Sequence, residues 1–70
     1  MKDEFQKKLE YIIAVIEEAG YNPFEQLYAY LNTENVNYIT RKGDARFLAT
    51  ELDRAKIWEY IKPHIKQKGK

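Results

Sequence analysis

Cysteine and serine are absent from this sequence, and histidine occurs once, as His64. Without cysteine there is no disulfide, no thiolate nucleophile and no cysteine-ligated zinc. Without serine or cysteine, a histidine base has neither of its usual nucleophiles to activate. His64 follows Pro63 and reads as a surface or partly packed side chain. The three glycines, Gly20, Gly43 and Gly69, lie far apart, so no glycine-rich loop cradles a phosphate. No histidine and carboxylate set has the spacing of metal ligands. Acid pairs such as Glu17 and Glu18 read as a solvated helix face, not as a tuned dyad. The expectation is therefore a protein that is not an enzyme and that carries no catalytic, cofactor or metal site.

Long apolar runs are missing as well. The longest is Tyr11-Ile12-Ile13-Ala14-Val15-Ile16, far short of the roughly 20 residues that span a bilayer. The opening Met1-Lys2-Asp3-Glu4-Phe5 places acids where a signal peptide would turn apolar. A cytoplasmic protein with no membrane contact is expected. What is present is an ordinary globular balance, 44% hydrophobic and 33% charged in 70 residues, enough apolar content to exclude disorder and enough chain for one domain, 1–70.

The periodicity is helical. Phe5, Leu9, Ile12, Ile13 and Ile16 form an apolar stripe, with Asp3 and Glu4 at its start and Gly20 as a left-handed cap. This predicts a first helix over 3–19. Asn22-Pro23-Phe24-Glu25 reads as N-cap, N1 proline and N3 glutamate, in which Asn22 accepts from the N3 amide and Glu25 reaches back to the Asn22 amide. A second helix over 23–32 follows, with Phe24, Leu27, Tyr28 and Leu31 as its buried stripe and Tyr21 positioned to staple its first turn. Asn32 to Asn37 is turn chemistry. Tyr38-Ile39-Thr40 is β-prone, giving a short extended segment at 37–40 that could pair with its copy in a dimer. Asp44 is the expected N-cap of a third helix, 45–52. The apolar phase then slips from Leu48 and Leu52 to Ile57, Trp58, Ile61 and Ile65, so a break capped by Asp53 and a fourth helix over 54–62 are expected, one bent helix being the alternative. Pro63 ends it. The fold class is all-α, a small bundle of three to four helices.

A chain this small buries only about 60% of its unfolded surface, and without disulfides or metal a second subunit is the usual further support. One Trp, six Tyr and three Phe, ten aromatics in all, either fill a small core or bury against another copy. Tyr28 and Tyr30 stand about 200° apart on one helix, so only one of them is core in a monomer. Trp58 poses the same question. Charge is unevenly placed. Residues 1–40 hold three lysines against seven acids, a net of −4, and residues 41–70 hold nine basic groups against four acids, a net of +5. The basic half either meets nucleic acid or an acidic protein, or packs on the acidic half; the second reading is preferred, because nucleic-acid domains of this size are usually far more basic than pI 7.9.

The run Gly20-Tyr21-Asn22-Pro23, followed by Gln26, Tyr30 and Leu31, then Tyr38-Ile39-Thr40, Ala45-Arg46, Arg54 and Ile57, resembles the IreB-like family of small regulatory phosphoproteins of Firmicute bacteria. The likeness extends over about residues 9–61. It implies a mainly helical, homodimeric, cytoplasmic protein without catalytic activity. The type member of that family is a substrate of a transmembrane Ser/Thr kinase and acts in the response to cell-wall-active antibiotics, and the resemblance implies a related regulatory role. In the family the kinase acts on threonines of a flexible N-terminal tail. Here the first threonine is Thr33, so that role passes to no N-terminal residue. Thr33 and Thr40 are left as weak candidate phosphoacceptors, while Thr50 lies in a predicted helix. The candidate interaction surface is Tyr30, Tyr38, Arg41, Lys42, Arg46, Arg54 and Trp58. Two functions result: a non-enzymatic regulatory dimer that binds a further protein, or a small nucleic-acid-binding protein that uses the basic half.

Overall fold

The computed structural model describes residues 3–65. Its helices are α1 (Glu4–Glu18), α2 (Pro23–Thr33), α3 (Ala45–Thr50) and α4 (Arg54–Ile61), with 3-10 turns at Val36–Tyr38, Lys42–Asp44 and Lys62–His64. Among the described residues there is no strand.

Local chemistry sets each boundary. Asp3 Oδ1 accepts from the Gln6 amide at 2.8 Å and starts α1. At its other end Gly20, at φ +93°, donates to the Glu17 carbonyl while Tyr21 donates to the Ile16 carbonyl, at 3.0 and 3.2 Å. This is the Schellman arrangement, which needs a left-handed residue after the cap. Asn22 Oδ1 accepts from the Phe24 and Glu25 amides at 2.9 and 3.2 Å, and Pro23 opens α2 without a wasted donor. The return bond expected from Glu25 to the Asn22 amide is not formed among the described residues. Asn22 alone serves two amides, and Glu25 stays in water. Tyr21 is likewise exposed and staples nothing.

The segment expected to be extended at 37–40 behaves differently. Asn37 and Tyr38 belong to a 3-10 turn, and Ile39 after it is extended, at φ −102° and ψ 141°. Its backbone finds side chains in place of a neighbouring strand. Arg46 Nε donates to the Ile39 carbonyl at 2.8 Å, Arg46 Nη2 donates to the Asn37 carbonyl at 3.3 Å, and the Thr40 amide donates to Gln26 Oε1 at 3.0 Å. The Ile39 side chain is 1% exposed, so this segment joins its own core and leaves no edge for a copy.

Asp44 was expected to cap α3 with its carboxylate, and it does not. It sits at φ 61°, directly after left-handed Gly43, and its side chain makes no cap bond. A capping side chain reaches the first amides from an extended backbone, which Asp44 lacks. Asp53 has that backbone, at ψ 122°, and accepts from the Ala55 and Lys56 amides at 2.8 and 3.4 Å. Residues 45–62 are thus two helices with a break at Leu52–Asp53.

Helix α1 packs on α2 and α3, and α2 packs on α4. Leu9, Ile12 and Ile16 of α1, Leu27 and Tyr30 of α2, Ile39, Ala45 and Ala49 of α3, and Ile57 and Ile61 of α4 form the core. On α2 the expected stripe is rotated. With 100° per residue, Tyr30, Pro23, Leu27, Leu31 and Phe24 fall within about 60° of Leu27, whereas Tyr28 stands about 100° away. Tyr30 is therefore inside at 6% exposure and Tyr28 outside at 40%. The radius of gyration, 11.5 Å, matches the roughly 11 Å of a closed 70-residue globule, so the core closes within one chain.

Candidate functional site

The seam between α2 and α4 brings together exposed Tyr28, half-buried Trp58 and a charged pair. Tyr28, Leu31 and Asn32 follow one another at i, i+3 and i+4 on α2, and on α4 Trp58 lies four residues after Arg54 and three after Ala55, so each set gathers on one side of its helix. Between them, with Glu34, lies a groove of about 420 Å³. Its wall is the Tyr28–Trp58 pair, with ring centroids 5.9 Å apart and planes tilted by 37°. Its rim is the ion pair of Arg54 Nη1 and Glu34 Oε1 at 3.4 Å. Glu34 reaches Arg54 because it closes α2 in the left-handed conformation, φ 57°, with its amide donating to the Tyr30 carbonyl at 2.7 Å. Arg54 is the first residue of α4, fixed by the Asp53 cap. At the other end of the seam the His64 ring stacks on Phe24, 4.4 Å between centroids and 12° between planes, with Tyr60 at 6.5 Å. His64 is an exposed side chain with its ring laid on Phe24, within the surface or partly packed setting expected of it.

The expected surface residues do not form one site. Arg54 and Trp58 meet in the groove. Tyr38, Arg41 and Lys42 are exposed elsewhere, on the segment between the 3-10 turns. Tyr30 is buried, because α2 turns it toward the core, and it leaves the candidate surface. Arg46 is half-buried and holds the Asn37 and Ile39 carbonyls. Tyr28, Leu31, Asn32 and Glu34 were missed as site residues; the signal was there, in the second i, i+3, i+4 set on α2.

Part of the basic half is tied within the fold: among the described residues, Arg46 holds two backbone carbonyls and Arg54 pairs with an acid. Lys8 pairs with Glu51 at 3.3 Å and Arg54 with Glu34, and both pairs join the acidic half of the sequence to the basic half. Lys62 pairs with Glu59 at 3.2 Å, and Lys56 Nζ lies 5.9 Å from the Phe5 ring centre. This arrangement gives no support to a nucleic-acid surface. Among the described residues no group of three or more His, Asp or Glu side chains could hold a metal, and no helix is long and apolar enough to cross a membrane.

The threonine hydroxyls differ in setting. Thr33 Oγ1 donates to the Ala29 carbonyl and Thr50 Oγ1 to the Phe47 carbonyl, both at 2.7 Å. Thr40 Oγ1 accepts from the Lys42 amide at 3.4 Å.

Residues 1–66 match the IreB regulatory phosphoprotein family. The chain belongs to that family. The match covers the whole described fold, so α1 to α4 and the seam between α2 and α4 all lie within it. The family is one of regulators, and the groove presents surfaces for contact.

Proposed function

We propose that this chain is a non-enzymatic regulator that works by protein contact, as a homodimer joined through the α2–α4 groove, in the cytoplasmic response to cell-wall stress. The observation that carries the contact surface is the Glu34–Arg54 rim around Tyr28 and Trp58. A two-fold interface must be complementary to itself. A rim with one anion and one cation meets that demand, since Glu34 of one protomer can face Arg54 of its partner while the aromatic walls stack. Membership of a regulatory phosphoprotein family supports the regulatory role.

The contact is tested by sedimentation of the purified chain at tens of micromolar. The wild type should run at about twice 8.4 kDa. Arg54→Glu should run as a monomer, and Glu34→Arg/Arg54→Glu should dimerise again. A monomeric wild type removes the dimer; a dimer indifferent to both changes moves it to another face. The stress role is tested separately, by deleting the gene in its host. Sensitivity to cell-wall-active antibiotics should change, and an unchanged strain rejects that role.

A further inference from the structure

We propose that Thr33 is a phosphoacceptor of this chain, and that its phosphate releases the last turn of α2 together with the Glu34–Arg54 pair. The proposal rests on the regulatory-phosphoprotein reading and assigns it a site and a consequence. With no serine present, Thr33, Thr40 and Thr50 are the hydroxyls in this sequence that a Ser/Thr kinase can use. A kinase must hold the hydroxyl in line with the γ-phosphate, so the flanking chain has to leave the fold. Thr40 follows Ile39 and Thr50 follows Ala49, both fully withdrawn from solvent. Presenting either threonine pulls on the core. Thr33 stands in the run Asn32-Thr33-Glu34-Asn35, in which all four residues are exposed. Presenting it unwinds one helix end, the part of a helix that opens most readily.

In the transfer, Thr33 Oγ attacks the γ-phosphorus of a nucleoside triphosphate. The new Oγ–P bond forms as the bond from that phosphorus to the bridging oxygen breaks. The nucleoside diphosphate departs, and the hydroxyl proton passes to the kinase's base.

The structure also says what the phosphate would do. The Thr33 hydroxyl pins the end of α2 from both sides, donating to the Ala29 carbonyl and accepting from the Asn35 amide at 3.2 Å. Esterification removes the donated proton. The added charge, about −1.5 to −2, lands at the negative end of the α2 dipole and beside Glu34, and both positions are disruptive. The turn at stake is closed by left-handed Glu34, whose amide donates to the Tyr30 carbonyl. Once it opens, Glu34 is no longer held against Arg54. Thr33 lies on the side of α2 away from Tyr28 and Leu31, by the 100° rotation per residue, whereas its neighbours Asn32 and Glu34 line the groove, so presenting Thr33 opens the groove's rim.

The experiment has two arms. The chain is isolated from the cells that make it, and separately incubated with a purified transmembrane-type Ser/Thr kinase and ATP. Intact mass and fragment mapping then locate any phosphate on unaltered protein. One phosphate at Thr33 is expected. Phosphate at Thr40 or Thr50 instead overturns the site and keeps the phosphoprotein reading; no phosphate in either arm overturns both. The consequence is read on chain synthesised with phosphothreonine at 33. The Glu34 amide should exchange with solvent at least about tenfold faster. Unchanged protection overturns the release of the turn.

Discussion

Replacing Ile39 by alanine separates the fold described here from the arrangement its sequence suggests. If residues 37–40 formed a surface strand, the change would act on an exposed side chain and move stability by less than about 0.5 kcal/mol. In the structure Ile39 is 1% exposed and belongs to the core with Leu9, Ile12, Leu27 and Ile57. Three carbons leave the core, at about 0.8 kcal/mol each, so the transfer loss is about 2.4 kcal/mol. Incomplete collapse of the cavity adds to it, within the roughly 2–5 kcal/mol of such truncations. A domain of this length has about 4–10 kcal/mol in total, so the variant should still fold. Its melting midpoint should fall by about 10–20 °C, at the 4–8 °C per kcal/mol of small domains. The assay is thermal unfolding followed by helical circular dichroism, with Tyr38→Ala as control. Tyr38 is adjacent but 50% exposed, and its loss should cost less than about 1 kcal/mol. Equal midpoints for the two variants would refute the burial argument.

Three further perturbations address the helix ends. Asp53→Ala should lose about 1 kcal/mol, because the carboxylate serves two amides, whereas Asp44→Gly should change stability by less than half as much, its carboxylate capping nothing; equal losses in urea titration would contradict the cap assignment. Glu17 and Glu18 end α1 with no basic residue in its last turn, so Glu18→Lys should stabilise by about 0.3–1 kcal/mol at low salt, and a gain that persists at 1 M salt would show another cause. A Cβ on Gly43 would lie 3.1 Å from one Val15 methyl and 2.9 Å from the Tyr11 hydroxyl. Gly43→Ala should therefore cost more than the roughly 1–2 kcal/mol of its left-handed backbone. That excess should shrink by about 0.5 kcal/mol or more in a Val15→Ala background, and strict additivity would refute the contact.

Much of this fold follows from the sequence alone because its signals are local. Asp3, Gly20, Asn22-Pro23 and Asp53 act on amides within a few residues of themselves. Any chain that places those groups beside an apolar stripe of helical period starts and stops its helices there. The likeness to the IreB family is also local, a set of short runs read in order. What the tertiary structure alone decided concerns which neighbour each face meets. The apolar spacing puts Tyr28 in the buried stripe of α2 and leaves Tyr30 outside it; the order reverses once α1 and α4 flank α2 and centre its buried arc on Leu27. Tyr38-Ile39-Thr40 has β-prone composition, but no strand comes to pair with it. Gln26 and Arg46, fourteen residues before Thr40 and seven after Ile39, take its backbone groups instead. Spacing on α2 places Tyr28, Leu31 and Asn32 together, but the groove itself exists only where that face of α2 meets the start of α4. Asp44 failed as a cap for a related reason: its backbone, at φ 61° after left-handed Gly43, does not aim the carboxylate at the first amides of α3, and backbone direction outweighs side-chain type.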